Sequence, residues 1–204
     1  MFPNSKKISY PYLSKAFKNT IIKNVAGYPY PISPFAGVTQ AINPEMLAEV
    51  AQFVQAEKLF SQANLIVTFD SAGTQLAAIV GQALNLPYLI AKKRKFDLPG
   101  EISFSVKTNF DEKIFYLYGN FKNKKILLID DIISSGSTQK AANLALNKSG
   151  AKVIALFAVA SKTNIIGKRY QDNLKDLQMP LITIMEIQIV NEKVAVNYQD
   201  TSSN

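Results

Sequence analysis

Two adjacent carboxylates, Asp130 and Asp131, stand just ahead of an unbroken run of small residues, Ser134, Ser135, Gly136, Ser137 and Thr138. Neighbouring like charges need a partner that offers positive charge or hydroxyl groups: a polyol, a metal ion or basic side chains. A turn of small residues opening a helix offers unpaired N–H groups, the positive end of the helix dipole and hydroxyl donors, and that combination suits a phosphate. A helix cap alone would account for one or two of these residues, not for the whole run behind an acid pair. Rival motifs are missing: the sequence contains no G-x-x-x-x-G-K-[ST], no G-x-G-x-x-G and no G-x-S-x-G. It also contains neither cysteine nor histidine. Disulfides and thiolate chemistry are thereby excluded, along with the commonest general base and transition-metal ligand.

The elements around these residues place them at the end of a buried sheet. Lys125 to Asp130, KILLID, is an apolar run of strand length, and Thr138 to Ser149 carries Ala141, Leu144, Ala145 and Lys148 along one helical face, with Gly150 as its stop. Lys152 to Ala160, KVIALFAVA, is a further buried strand. An earlier unit repeats the pattern. Asn64 to Phe69 is a strand, DSAG follows, and Leu76, Ile79, Val80, Ala83 and Leu84 share a helix face before the buried strand Leu86 to Ala91. Such βαβ crossovers imply parallel pairing. The expected fold class is therefore α/β, an open, mainly parallel twisted sheet with helices on both faces, and ligands bind such sheets beyond the carboxyl ends of the strands.

The flanking segments are less regular. Residues 1–43 are rich in tyrosine and proline and read as irregular, after which Asn43 caps a helix that carries Met46, Val50, Phe53 and Val54 on one face. Residues 96–118 mix polar, alternating and charged pieces and read as a mobile loop or antiparallel excursion rather than core. A short helix is expected after Asn164, then a terminal hairpin over 180–198 turning at Asn191 and Glu192. One domain over 1–204 fits this length, and 48% apolar against 19% charged residues is a globular balance. A formal charge of +8 is compatible with nucleic acid, an anionic membrane or a polyphosphate substrate, but the charge is spread and no nucleic-acid module is recognised. With no long apolar span and no visible leader, cytoplasmic residence without membrane contact is expected.

The segment ILLIDDIISSGST resembles the signature of type I phosphoribosyltransferases, enzymes that join a base to phosphoribosyl pyrophosphate. Asp70 to Gly73, followed by a strand and KKRKFDLPG (Lys92 to Gly100), is similar to the pyrophosphate loop and basic segment of the adenine phosphoribosyltransferases. Tyr28 to Leu47 resembles their amino-terminal base-binding segment, and the carboxy-terminal hairpin looks closer to the xanthine phosphoribosyltransferase and purine-repressor branch. The windows occur in the family's order. Departures are local: Ala72 stands for the usual loop arginine, Ser135 for a threonine, Ser137 for a glycine, Ala36-Gly37 for an Arg-Asp pair, and Phe110 for a glutamate that Asp111 or Glu112 could replace.

The resemblance implies specific roles. Asp130 and Asp131 would hold the ribose hydroxyls and stabilise the developing oxocarbenium charge, and Ser134, Ser135, Gly136, Ser137 and Thr138 would bind the 5′-phosphate. Asp70, Ser71, Ala72, Gly73, Lys93 and Arg94 would meet the pyrophosphate, across a peptide at Asp70–Ser71 that is often cis in the family. Phe35 would stack on the base, or else fill core, with Ile132 on the base's other face. Mg²⁺ would be the cofactor, carried by the substrate near Asp130 and Asp131 with no direct protein ligand. Residues 1–43 would form a base-binding hood, 96–118 a flexible lid, and two chains a homodimer. The implied reaction is transfer to a purine, adenine foremost, with xanthine, guanine or hypoxanthine as alternatives. A sugar-phosphate-sensing repressor is a further alternative, disfavoured because the residues before Pro44 are too few for a winged helix.

Overall fold

The computed structural model describes residues 9–25, 27–107, 112–163 and 179–198. Its central sheet is built from β3 (Leu65–Phe69), β4 (Tyr88–Ala91), β7 (Lys125–Ile133), β8 (Lys152–Lys162), β9 (Leu181–Val190) and β10 (Lys193–Tyr198), in the order β10-β9-β8-β7-β3-β4. Every pairing in it is parallel except β9 with β10. The α/β class with a mainly parallel sheet is thus as expected. Chain direction along the sheet reverses between β3 and β7: from β3 the chain moves outward to β4, and from β7 outward to β8 and β9. That reversal is the topological switch point at which open α/β sheets leave a crevice.

The apolar runs do not alternate because both sheet faces are covered. Leu127, Ile129, Phe157 and Val159 pack on one face with α2 (Pro44–Ala56) and α3 (Gly73–Leu84). On the other face Leu128, Leu156 and Ala158 pack with α4 (Ser137–Lys148) and a separate antiparallel hairpin, β5 (Ile102–Lys107) with β6 (Glu112–Leu117). Asn43 caps α2 as expected, its side chain accepting from the Glu45 N–H at 2.9 Å. The terminal hairpin also forms, with Asn191 and Glu192 at φ 48° and 59°, the left-handed pair a tight two-residue turn requires.

Several expectations are corrected. The described part of 9–43 is not irregular: it forms helix α1 (Pro11–Lys18), a hairpin of β1 (Ile22–Val25) and β2 (Tyr28–Pro31), and a 3-10 turn at Pro34–Ala36. Pro11 suits a first helical turn, and the remaining orphan donors are met from another helix: Glu49 on α2 accepts from the N–H groups of Tyr12 (3.1 Å) and Leu13 (2.8 Å). Strand β4 is the sheet's edge, so Tyr88 is exposed rather than core. The buried face of α4 is Gln139, Ala142 and Leu146; Leu144 faces solvent, with Ala141 and Ala145 at the boundary. Within 96–118, Phe104, Val106, Phe115 and Leu117 are core, Phe104 and Phe115 lying edge-on to Phe69. The helix expected after Asn164, and Phe110 and Asp111, lie outside the described residues.

Candidate active site

A cleft of about 380 Å³ opens where β3 and β7 end, at the switch point. Its β7 wall carries Asp130, Asp131, Ile132 and Ser134 to Thr138; its β3 wall carries Asp70 to Gly73, with Lys93 beyond the end of β4. Residues separated by some sixty positions are thus brought face to face. The strand runs three residues past Asp130, so both acids lie within its last turn of pleat rather than after it.

The small-residue turn is shaped for close approach. Gly136 sits at the cap position of α4 with φ 70°, a conformation that favours glycine, and brings no side-chain oxygen to the first-turn N–H groups. The ordinary Ser/Thr residue at the cap position is therefore absent, and a side-chain oxygen near the first turn, Ser135 Oγ, accepts from the Ser137 N–H at 3.4 Å. The Ser135 and Ser137 hydroxyls meet at 3.0 Å, and Ser134 Oγ accepts from the Tyr28 hydroxyl at 3.3 Å. The result is a concave rim of amides and hydroxyls at a helix N-terminus, chemistry that binds an anion.

The opposite loop is held from below. The peptide between Asp70 and Ser71 is cis. Thr68, fully buried on β3, donates to the Ile129 carbonyl on β7 at 3.1 Å, and a Cβ placed on Gly73 would lie 2.2 Å from that same hydroxyl oxygen. Only glycine lets the loop settle onto the sheet there. Asp70 pairs with Lys92 at 3.3 Å, both half-exposed.

Negative field concentrates between the two walls. Asp130 Oδ1 accepts from the Asp131 N–H at 2.9 Å, and Gln139 Nε2 donates to Oδ2. Burial, and next the charge of Asp131, push the Asp130 carboxyl well above the usual carboxylate range. Tyr30, hanging over the cleft from β2, has its hydroxyl pushed up by burial and then by Asp131 and Asp130. Such a field favours a group that gains positive charge during reaction. The donor set is hard oxygen, which suits Mg²⁺, but among the described residues no group of three or more acidic, His or Cys side chains could cage a metal.

Not every expected residue reaches the cleft. Phe35 is fully buried, 6.5 Å ring-to-ring from Phe17, and does not line it; the Ser33-capped 3-10 turn carries the ring into the core instead. Arg94 lies 5.7 Å over the Phe96 ring and is likewise not a lining residue. Glu112 opens β6 without lining the cleft. The structure supplies others: Tyr30, Ile32, Ser33 and Ala36 form a roof, Lys113 and Phe115 reach in from β6, and Gln139 from α4. Alternation of Phe104 with Val106 and of Phe115 with Leu117 was the signal for a half-buried hairpin. Nothing local marked Tyr30. At the roof's far side Lys162, fully buried at the end of β8, donates to the Pro29 carbonyl at 2.7 Å and lies 3.9 Å from the Tyr28 ring centre.

The sequence model of the family described as phosphoribosyl transferase domain matches residues 42–197. The chain is 32% identical over 170 residues to a hypoxanthine/guanine phosphoribosyltransferase of Methanocella paludicola, covering 83% of this chain and 85% of that protein. It is 29% identical over 184 residues to one of Methanocaldococcus vulcanius, covering 90% and 98%. Among solved structures it is similar to the adenine phosphoribosyl transferase of Trypanosoma brucei in complex with AMP, pyrophosphate and ribose-5-phosphate, with TM-score 0.68, 21% identity, and 89% and 81% of the two chains covered. At that identity the likeness bears on the fold. Among the described residues no helix is long and apolar enough to cross a membrane.

Proposed function

The chain belongs to the phosphoribosyl transferase family, and from that premise we propose that it transfers the phosphoribosyl group of phosphoribosyl pyrophosphate to a purine, releasing pyrophosphate. One observation carries the proposal: paired acids, a small-residue turn opening a helix at Gly136, and the Ser71–Gly73 backbone converge on one cleft at the switch point. The turn receives the 5′-phosphate, and Asp130 and Asp131 accept from the ribose hydroxyls. Lys93 and the Ser71–Gly73 amides face the leaving pyrophosphate, with Lys113 taking the part expected of Arg94.

As the bond from ribose C1 to the pyrophosphate oxygen breaks and the bond to the purine nitrogen forms, positive charge spreads over C1 and the ring oxygen. The two carboxylates stabilise that state more than the ground state. No protein nucleophile is needed, which suits a chain without His or Cys. Mg²⁺ bound through substrate oxygens beside Asp130 and Asp131 would neutralise the leaving group. Ile132 forms one wall for the base and the roof of Tyr30, Ile32, Ser33 and Ala36 the other. The hairpin that contributes Lys113 and Phe115 would act as the lid that excludes water. A homodimer is part of the proposal, with exposed Tyr12, Ile21 and Val25 as its candidate surface.

The base we propose is a 6-oxopurine, hypoxanthine or guanine, because relatives about 30% identical over most of their length carry that name. Adenine is the second reading, favoured by the likeness of the DSAG, LPG and Tyr28–Leu47 windows to adenine enzymes. A pyrophosphate-release assay with phosphoribosyl pyrophosphate, Mg²⁺ and each of hypoxanthine, guanine, xanthine and adenine tests both. Release with hypoxanthine or guanine is expected. Release with adenine alone selects the second reading, and no release with any purine overturns the enzyme proposal.

A further inference from the structure

Gln139 occupies a place that helical patterning reserves for an apolar side chain. It shares the buried face of α4 with Ala142 and Leu146 and is only 4% exposed. A primary amide buried there is costly unless it is hydrogen-bonded. Its Nε2 donates to Asp130 Oδ2, while Asp130 Oδ1 takes the Asp131 N–H. Each carboxylate oxygen thus has one fixed protein donor, which stops rotation of the group and leaves further lone pairs for the cleft. Burial and Asp131 drive the Asp130 carboxyl toward its neutral form, and the Gln139 bond opposes them.

We propose that Gln139 is a positioning residue for phosphoribosyl transfer: from the first turn of α4 its amide holds the Asp130 carboxylate in one orientation as acceptor for the ribose hydroxyls. The inference rests on the phosphoribosyl-transfer reading above. It also joins the two halves of sugar recognition, because the amide sits one residue after Thr138 of the phosphate turn.

The test is calorimetric titration of Mg²⁺–phosphoribosyl pyrophosphate, without base, into wild type, Gln139→Met, Asp130→Ala and the double variant, with thermal midpoints measured alongside. Met has similar length and no donor and suits the buried face, so the fold is expected intact, with a midpoint lowered by no more than one lost hydrogen bond accounts for. Gln139→Met is expected to weaken binding about tenfold, as loss of one hydrogen bond to a charged group does. In the Asp130→Ala background the same change is expected to cost less than about twofold, because nothing remains to position. Steady-state kcat should fall with the purine KM unchanged. Wild-type affinity in Gln139→Met overturns the proposal, and so does an additive cycle, which would show that the amide does not act through Asp130. Failure of wild type itself to bind sinks the functional reading and this inference together, a result distinct from either.

Discussion

Replacing Gly73 by alanine should damage both stability and sugar-phosphate binding, and the structure says how. The new methyl would stand 2.2 Å from Thr68 Oγ1, about 1 Å short of an ordinary contact. Thr68 has no room to yield: it is fully buried, and its hydroxyl donates to the Ile129 carbonyl on the neighbouring strand. Turning the hydroxyl away strands a buried donor at a cost of about 1–3 kcal/mol, and lifting the loop instead costs a similar amount in overpacking. Either route moves the Ser71–Gly73 amides, so affinity for phosphoribosyl pyrophosphate should drop with stability. The partner change separates this account from a general intolerance of alanine. Beyond Oγ1, the nearest Thr68 atom to the added methyl is its Cβ, at 3.5 Å, an ordinary contact. Thr68→Ala should therefore make room for the Gly73→Ala methyl, whereas Thr68→Val, which keeps a methyl near the hydroxyl's position, should not. Alone, Thr68→Ala loses one hydrogen bond, about 1 kcal/mol. Combined with Gly73→Ala it should restore about 1–2 kcal/mol relative to additivity. Urea denaturation of the variants, with the sugar-phosphate titrated into each, gives the answer. Wild-type stability in Gly73→Ala, or equal rescue by alanine and valine at position 68, would refute the steric reasoning.

Asp131→Asn should lower kcat on the order of 100-fold, as removal of one transition-state electrostatic group does, while circular dichroism shows the fold unchanged. Asp130 is raised above its ordinary value of 3.8, so the native state binds more protons than the unfolded chain above that pH. Its stabilising contribution is complete below 3.8 and is lost as pH rises through the native value; thermal unfolding should show Asp130→Asn more stable than wild type at pH 7, the gap closing as pH falls toward 3.8. Phe35→Ala should cost about 3–5 kcal/mol in urea unfolding, as a core truncation does. A rise in purine KM at wild-type stability would instead make Phe35 a base-stacking residue.

What could be read from the sequence was what local pattern determines. The unalternating β7 and β8 runs, the Asn43 cap, the Asn191–Glu192 turn and the acid pair before a small-residue turn each express a constraint within a few residues of chain. What escaped depends on partners far away. The cap of α1 comes from Glu49, 36 and 37 positions distant. The exposure of Tyr88 follows from strand order, which no strand's own sequence contains. The buried face of α4 defies apolar patterning because a glutamine points inward, where its amide donates to Asp130, a partner nine positions away on another element. Phe35 is open between base and core by its own sequence, and its burial against Phe17 depends on a helix some eighteen residues earlier.

The two ends of the cleft are held in different ways, and this bears on specificity. The end that carries the acid pair, proposed to hold the sugar phosphate, is stitched into the sheet: Thr68 bonds β3 to β7 beneath Gly73, and Gln139 bonds α4 to β7 at Asp130. Neither tie can slip without breaking a buried hydrogen bond. The roof end belongs to the 3-10 turn segment and, through Tyr30, to the β1–β2 hairpin, a two-stranded ribbon of the kind that is not stable alone. Among its polar ties to the sheet end are Tyr28 to Ser134 and Pro29 to Lys162. Substitutions in that hairpin can reshape the space above Ile132 while the sugar end stays fixed. On the proposed function, recognition of the activated sugar is therefore written in a motif a single sequence displays. On the same proposal, choice of base would be set by how a small roof, built outside the central sheet, sits over it.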